Sequence, residues 1–347
     1  MTREPLLGAL TGDTSIAALF RPDAEVDALR RFEIALAEAE AAAGLIDPSA
    51  AEAIGRALAD MAFDFDRLAS GLRRDGVVVP ELVRQLRQVV GEPFGGLVHL
   101  GATSQDAIDT GLMLRLRTVF DILGGRLSTL IDRLDRLDAE QGTRTLMAQT
   151  RMQAALPFTV AAKLRTWTTP LRNHARRLAS LREGLAVQLA GPIGDGSSFW
   201  GEAAAVRAEL ARRLDLADAA PWHSDRTAIM DVAQGLVLLT GTLGKIGQDV
   251  ALMAQNEIAA IKLAGGGASS AMAHKQNPVG AEVLVAIARL NANLMGALQQ
   301  SMIHENERSG SAWTLEWSVV PQIAEATGAA LGHALELLDG ATLGRSR

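Results

Sequence analysis

The segment between residues 265 and 278 concentrates side chains that can handle an anionic substrate. It reads Gly-Gly-Gly-Ala-Ser-Ser-Ala-Met-Ala-His-Lys-Gln-Asn-Pro, so three glycines precede a run of polar groups. Those polar groups are two hydroxyls, two cationic donors and an amide: Ser269, Ser270, His274, Lys275 and Asn277. A glycine hinge followed by such donors favours a mobile loop that closes over an anion. An inert linker is the alternative, although a purely structural loop does not need this combination.

Two further segments place polar side chains beside a predicted helix. Gly101-Ala-Thr-Ser-Gln-Asp precedes a long apolar repeat, and Thr103 and Ser104 there add hydroxyls to the free N–H groups of a first helical turn. This arrangement predicts either an anion cradle or a simple N-cap. Gln149-Thr-Arg-Met-Gln precedes another long helix, and Arg151 could hold a carboxylate through two parallel hydrogen bonds. Taken alone, Arg151 fits a solvated loop arginine better than a carboxylate-binding residue.

Long helices must position these segments, because the apolar period is helical almost throughout the chain. From Leu123 to Leu137 the leucines follow steps of four and three residues, and Thr103 and Asp106 can cap that helix at its start. Four more long helices are predicted at Phe158–Leu189, Ala228–Ala264, Ala281–Ile303 and Ala312–Leu338. A 30-residue helix is about 45 Å long, so we expect these helices to pack against other subunits.

Residues 1–100 are predicted to form a small N-terminal helical domain, and residues 101–347 a bundle that carries the polar segments. The expected N-terminal helices are shorter and are interrupted by Gly and Pro: Glu25–Ala43, Ser49–Met61 and Val79–Val90.

Composition excludes several classes of function. The 347 residues carry 34 basic and 40 acidic side chains, a net charge of −6, which argues against a general nucleic-acid binder. The chain has no Cys and no Tyr, which excludes thiol chemistry, disulfides and tyrosine acid–base chemistry. The N-terminus lacks the layout of a signal peptide, and no uncharged apolar stretch reaches the length of a membrane span. We therefore expect a cytoplasmic protein that does not enter a membrane.

The three polar segments together resemble the fumarase/aspartase superfamily. The segment from Ser269 to Pro278 is similar to the superfamily's loop signature Gly-Ser-Ser-x-Met-Pro-x-Lys-x-Asn-Pro, with Ala268 and Ala273 replacing its first Gly and its Pro. Residues 101–106 and 150–153 resemble the first and second active-site segments, in the expected order. The resemblance implies an all-α fold with a five-helix bundle in each subunit, and a C-terminal domain that is absent or reduced. It also implies a homotetramer whose active sites are shared between three subunits, and no metal or organic cofactor.

Within that superfamily the chain most resembles the bacterial 3-carboxy-cis,cis-muconate cycloisomerases. Besides residues 101–106, the resemblance rests on Trp222-His223 before Arg226, on Glu307-Arg308, and on Trp313 with Glu316-Trp317. Most superfamily lyases carry His at position 151, whereas the cycloisomerases do not and this chain has Arg. The expected reaction adds the substrate's own carboxylate across a C=C bond, forming a carboxymuconolactone in the protocatechuate branch of the β-ketoadipate pathway. That nucleophile is already ionised at neutral pH, so a base to activate it is not needed.

The resemblance also implies roles for individual residues toward a small tricarboxylate substrate. Ser269 is the expected proton donor, with Lys275 or His274 as alternatives, and Lys275 is the second catalytic candidate. The expected carboxylate-binding residues are Thr103, Ser104, Arg151, Arg226, Ser270, Asn277 and Arg308. Glu282 and His274 are supporting residues, and Glu282 is expected to pair with Arg151 or Lys275. Around Arg226 the superfamily's Gln-Arg-Asp-Arg run is missing, and only Arg226 clearly matches it.

Two other functions stay open at this point. Another superfamily lyase, of the adenylosuccinate or argininosuccinate type, would release fumarate, but it would need an acid where this chain has Arg151. A catalytically inactive helical scaffold is the second alternative, and the intact Ser269, Lys275 and Asn277 argue against it. Of the histidines, His223 and His304 are candidates near the site, whereas His99 and His174 are expected at a helix edge and on the surface.

Overall fold

The computed structural model describes residues 5–268, 272 and 276–344 of the chain. These residues form twelve α-helices, three short 3-10 helices and six short β-strands, in agreement with the predicted all-α class. The helices that precede the bundle are α1 (Pro5–Thr11), α2 (Thr14–Ala18), α3 (Pro22–Ala42), α4 (Pro48–Leu58), α5 (Phe65–Asp75) and α6 (Val79–Val90). The bundle helices are α7 (Ser104–Gln141), α8 (Val160–Glu183), α10 (Thr227–Met253), α11 (Val279–Gln299) and α12 (Gly310–Leu337), with α9 (Ala203–Leu214) between α8 and α10. The 3-10 helices are Gly95–Leu97, Ser197–Phe199 and Gln300–Met302.

The five long helices confirm the predicted bundle, although two of them end early. The leucine seam of α7 is fully or almost fully buried from Leu123 to Leu137, as its spacing predicts. Helix α8 stops at Glu183, and the residues that follow run extended and buried past α7. Helix α10 stops at Met253, before the polar stretch that contains Glu257. The expected ends at Leu189 and Ala264 are therefore wrong, because residues 185–190 form a buried extended segment and residues 254–264 form turns and a short strand.

Helix α10 connects the two ends of the bundle. At its start, Arg226 pairs with Asp109 near the beginning of α7, and at its end Asp249 pairs with Lys163 near the beginning of α8. Helix α11 runs back along α10 in close contact, since a Cβ atom on Gly247 would lie 2.5 Å from the carbonyl oxygen of Ala281. The starts of α7, α10 and α12 therefore lie at one end, and the starts of α8 and α11 lie at the other.

A second apolar cluster joins the N-terminal helices to later parts of the chain. It contains buried side chains of α3 to α6, such as Phe32 and Leu82, and also Phe199, Leu210 and Trp313. Helices α5 and α9 were missed by the sequence analysis because both are short and rich in charged residues. The boundary between N-terminal domain and bundle at residue 100 remains a proposal.

The strands form three small antiparallel pairs beside the helices. Strands β1 (Thr145–Thr150) and β2 (Gln153–Thr159) form a hairpin between α7 and α8. The others are β3 (Ile261–Lys262) with β6 (Thr342–Leu343), and β4 (Gly267–Ala268) with β5 (Gln276–Asn277). The last pair holds both ends of the segment that contains Ser269 and Lys275, which themselves lie outside the described residues.

Two bundle helices are apolar enough to be compared with membrane spans. The helical stretches Thr227–Met253 and Val279–Met302 each have a mean hydropathy of 1.3 over their most apolar window. Inside one chain, 56% of that window is buried for the first stretch, but only 39% for the second. Both belong to the packed bundle, and most of the apolar window that includes α11 is not buried inside one chain.

Candidate functional site

The described site candidates fall into two groups at opposite ends of α10. Thr103, Ser104, Arg226 and Arg308 lie at the end where α7, α10 and α12 begin. Arg151, Asn277 and Glu282 lie at the other end, where α8 and α11 begin. Four other candidates, Ser269, Ser270, His274 and Lys275, lie outside the described residues.

The first turn of α7 has the predicted capped geometry, and its role as an anion cradle stays a prediction. Thr103 caps the helix, and its N–H donates to Asp106 Oδ2 at 3.0 Å, as the Thr-x-x-Asp spacing predicts. Thr103 and Ser104 are both half-buried, so their hydroxyls remain reachable from solvent. The first N–H groups of a helix have no intrahelical acceptor and carry its positive dipole end. This turn is therefore suited to bind a carboxylate.

Besides its predicted capping role, Asp106 binds distant parts of the chain, and these contacts were not predicted from the sequence. Its carboxylate is fully buried and accepts hydrogen bonds from the backbone N–H groups of Ala190 and Gly191 at 3.0 and 2.9 Å. It also lies 2.9 Å from Nε2 of the buried His223. The Trp-His pair before Arg226 was the available signal, but a contact across 117 residues cannot be read from spacing.

A glycine-rich loop from residue 191 to 201 lies against the same turn. A Cβ atom on Gly191, whose φ is +74°, would lie 2.1 Å from Ser198 Oγ and 2.8 Å from the carbonyl oxygen of Gly101. Gly101 itself has a φ of +69° and touches Phe199. Only glycine fits at both positions, which lets the loop form a close wall beside the cradle.

Arg308 reaches the cradle from the segment that precedes α12. Its Nε donates to Gln105 Oε1 at 2.8 Å, and its Nη2 donates to the carbonyl oxygen of Pro192 at 3.0 Å. Gln105 is in turn held by the carbonyl oxygen of His223 at 2.8 Å. These contacts hold the half-buried Arg308 against the first turn of α7, and its Nη1 has no hydrogen-bond partner among the described residues.

Arg226 occupies a buried ion-pair cluster instead of the cradle surface. Its guanidinium is 0% exposed and donates to Asp109 at 2.7 and 3.1 Å and to Glu316 at 3.0 and 2.6 Å. Burial alone would lower the pKa of Arg226, but the two carboxylates raise it, so the charge is permanent. Within one chain Arg226 therefore ties the starts of α7, α10 and α12 together and presents no surface to a ligand.

Three further described histidines lie mainly inside the fold. His304 is almost fully buried, with its Nε2 3.8 Å from Glu316 Oε1, and burial lowers its pKa. His174 is not on the surface as expected, because it is buried against α10 with its Nε2 2.9 Å from Thr242 Oγ1. His99 is half-buried, with its Nδ1 2.6 Å from Glu33 Oε1. Among the described residues, His, Asp and Glu side chains do not gather in a group of three that could hold a metal ion.

At the opposite end of α10, Arg151 lies in the two-residue turn of the β1–β2 hairpin. Thr150 pairs with Gln153, and the intervening Arg151 and Met152 have φ values of +50° and +66°. Turns of this kind favour Asn-Gly, because side chains at positive φ cost free energy. The Arg151 side chain is exposed and pairs with none of the described residues. A strained turn that holds a free guanidinium outward suits the recognition of an anion.

Asn277 and Glu282 lie near the same end, on either side of the start of α11. Asn277 is half-buried in β5, opposite Gly267. Glu282 is exposed in the first turn of α11, and it does not pair with Arg151 inside one chain, the first of its two expected partners. Its other expected partner, Lys275, lies outside the described residues.

Comparisons with known proteins agree on the family. The family described as "Lyase" matches residues 13–291. A 3-carboxy-cis,cis-muconate cycloisomerase of Acinetobacter baylyi is 34% identical over 96% of this chain and 76% of its own length. One of Pseudomonas putida is 35% identical over 95% of this chain and 80% of its own length.

Solved structures give the same result. The 3-carboxy-cis,cis-muconate lactonizing enzyme from Pseudomonas putida superposes with a TM-score of 0.90 at 34% identity, covering 98% of this chain and 77% of that one. Sequence and fold agree over nearly the whole chain, and the chain therefore belongs to this lyase family, the fumarase/aspartase superfamily.

Proposed function

We propose that this protein is a 3-carboxy-cis,cis-muconate cycloisomerase of the protocatechuate branch of the β-ketoadipate pathway. The observation that carries the proposal is its identity of 34–36% with several such enzymes over more than nine-tenths of the chain. Arg151, where most superfamily lyases have His, supports it independently. An arginine is a poor general acid because it stays protonated, but it is well suited to hold a carboxylate.

In the proposed reaction the substrate supplies its own nucleophile. One carboxylate oxygen forms a C–O bond to a carbon of the conjugated diene while the C=C π bond breaks. The electron pair moves toward the neighbouring carboxyl group, and a proton is then delivered to the adjacent carbon. The protein must orient the carboxylate, stabilise the developing negative charge and donate one proton. Ser269 is the proposed donor, with Lys275 or His274 as alternatives.

The remaining candidates are assigned to binding. At the α7 end, Thr103, Ser104 and Arg308 form a carboxylate-binding group on the cradle. At the other end, Arg151 and Asn277 form a second group. Ser270 is also assigned to carboxylate binding, and Glu282 and His274 are assigned as supporting residues. Arg226, first expected among the binding residues, is proposed to act by positioning the cradle through Asp109 and Glu316.

Enzymes of this family act on small carboxylates and are usually oligomeric, and the placement of the two groups supports an oligomer here. Helix α10 has 27 residues, so the groups lie about 40 Å apart in one chain, too far for one small substrate. We propose a cytoplasmic homotetramer in which different subunits bring the two groups together. The open apolar surface of α11 supports such packing.

A direct ultraviolet assay tests the proposed reaction. Loss of the diene absorbance of 3-carboxy-cis,cis-muconate, with EDTA present, is expected for the wild-type chain. Ser269→Ala should slow it strongly, and Arg151→Met should raise KM. Release of fumarate from adenylosuccinate or argininosuccinate, without loss of the diene, would contradict the proposal and favour a fumarate-releasing lyase.

A further inference from the structure

A cavity beside Arg151 contains a second cationic side chain that the sequence analysis did not single out. It has a volume of about 260 Å³ and lies between the β1–β2 hairpin, the start of α8 and the end of α10. Its apolar lining consists mainly of Leu146, Phe158, Leu252, Met253, Ile258 and Ala260. Its ionisable lining residues are Arg151, Lys163 and Asp249. A volume of this size is smaller than a complete ligand site, so it suits one end of a small molecule.

Two ammonium groups share one carboxylate at the base of this cavity. Lys163 Nζ lies 2.7 Å from Asp249 Oδ2, and Lys245 also pairs with the same oxygen. The indole Nε1 of Trp167 donates a third hydrogen bond to it at 2.7 Å. Asp249 therefore keeps two hydrogen bonds without Lys163, and the two ammonium groups with one carboxylate carry a net positive charge.

Burial makes that excess charge significant. The side chain of Lys163 is only 17% exposed, whereas that of Lys245 is 53% exposed. Burial lowers the pKa of Lys163, although Asp249 opposes the shift. A partly desolvated ammonium that shares its only carboxylate with a second ammonium is stabilised when it binds a further anion. With Arg151 at the mouth, the cavity has two cations against one anion, while the exposed Glu257 lines the neighbouring groove.

We propose that Lys163 binds a carboxylate of the substrate together with Arg151, with the apolar wall of the cavity against the substrate's carbon chain. This inference rests on the proposed function, since it assigns one carboxylate of that substrate to a place. Lys163 is a binding residue, and it takes no part in proton transfer.

The test compares Lys163→Met with Lys245→Met. Both variants remove one ammonium from Asp249 and leave the other, but only Lys163 lines the cavity. In the diene assay we expect Lys163→Met to raise KM about tenfold or more, the loss of one charge-assisted hydrogen bond, with kcat within about threefold of wild type. Lys163→Arg should restore most of the affinity, and Lys245→Met should leave KM within about twofold. An unchanged KM in Lys163→Met, or equal changes in both methionine variants, overturns the inference.

Two additions keep the test decisive. If Lys163→Met does not fold, as judged by circular dichroism, Lys163→Gln takes its place. If the wild-type chain does not lactonise the muconate, the proposed function fails, and Lys163 is then judged by calorimetric titration with citrate, an unreactive tricarboxylate. An affinity for citrate about tenfold weaker in Lys163→Met than in Lys245→Met supports the binding role, and equal affinities exclude it.

Discussion

Two arginines near the same helix start have opposite surroundings. Arg226 is sealed between Asp109 and Glu316, whereas Arg308 is half-buried and keeps part of its guanidinium open. Removing one partner of a buried charge cluster leaves the others uncompensated, which is far more costly than losing an exposed pair. Burial therefore separates a residue that shapes the site from one that can touch a ligand.

We predict that Arg226→Met lowers the free energy of unfolding by about 3–5 kcal/mol, because Asp109 and Glu316 would remain buried without their cation. Arg308→Met should cost only about 1 kcal/mol and should instead raise KM. Urea denaturation followed by circular dichroism, paired with the diene assay, measures both effects. A stable Arg226→Met that binds substrate poorly would return Arg226 to the substrate-binding residues.

Glu40 gives the fold a pH dependence of its own. It is 0% exposed on α3, and burial, aided by the nearby charge of Glu33, raises its pKa from 4.5 to about 9. Between those values the unfolded chain releases a proton that the folded chain keeps. The contribution of Glu40 to stability therefore falls as pH rises through this window, by about 1.4 kcal/mol per pH unit.

The matching prediction uses Glu40→Gln, which cannot ionise. Between pH 6 and pH 8 the free energy of unfolding of the variant should rise by about 2–3 kcal/mol relative to wild type. Urea denaturation of both proteins at the two pH values gives this difference. A constant difference would mean that Glu40 ionises normally in the folded chain.

Among the elements, the β1–β2 hairpin is strained at the turn that carries Arg151, a proposed carboxylate-binding residue. Its turn places Arg151 and Met152 at positive φ, where Asn-Gly would be relaxed. Replacing Arg151-Met152 by Asn-Gly should therefore stabilise the fold by about 1–2 kcal/mol and lower kcat/KM at least tenfold. Urea denaturation measures the predicted gain in stability, and steady-state kinetics on the same preparation measures the predicted loss in kcat/KM. Lower stability in the variant would show that the turn is not strained.

The elements also show where sequence reasoning succeeds. The leucine seam of α7 and its Thr103–Asp106 start are local patterns, and both are confirmed. The hairpin was missed because β2 is exposed on almost every residue and lacks a buried alternating face. The contacts of Asp106 with His223 and of Arg226 with Glu316 join residues about 90 to 120 positions apart. Such pairs depend on how helices pack, which composition and spacing do not encode.

At the scale of the whole molecule, the two groups of candidate residues should belong to different subunits of one site. Co-expression of Arg151→Met with Arg308→Met tests this, because mixed oligomers would contain some sites with both arginines intact. With random mixing, roughly a quarter of the sites should contain both arginines and bind substrate with wild-type affinity, whereas either variant alone has no such site. Kinetics of the co-expressed protein, with a size measurement to confirm the assembly, gives the answer. No recovery in a mixed oligomer would place both arginines in the same subunit's site.

The length of α10 limits which insertions and deletions the sequence can accept during evolution. Each residue added to a helix moves its end by about 1.5 Å and turns it by about 100°. A single insertion within Thr227–Met253 would leave the ion pairs of Arg226 and of Asp249 intact. It would nevertheless rotate one end of the molecule relative to the other. In the proposed oligomer, neighbouring copies meet both ends at once, so the error would be repeated at every interface between subunits. Helix α10 thus fixes the distance and the rotation between the two ends, and we expect insertions and deletions to occur in the loops between helices instead.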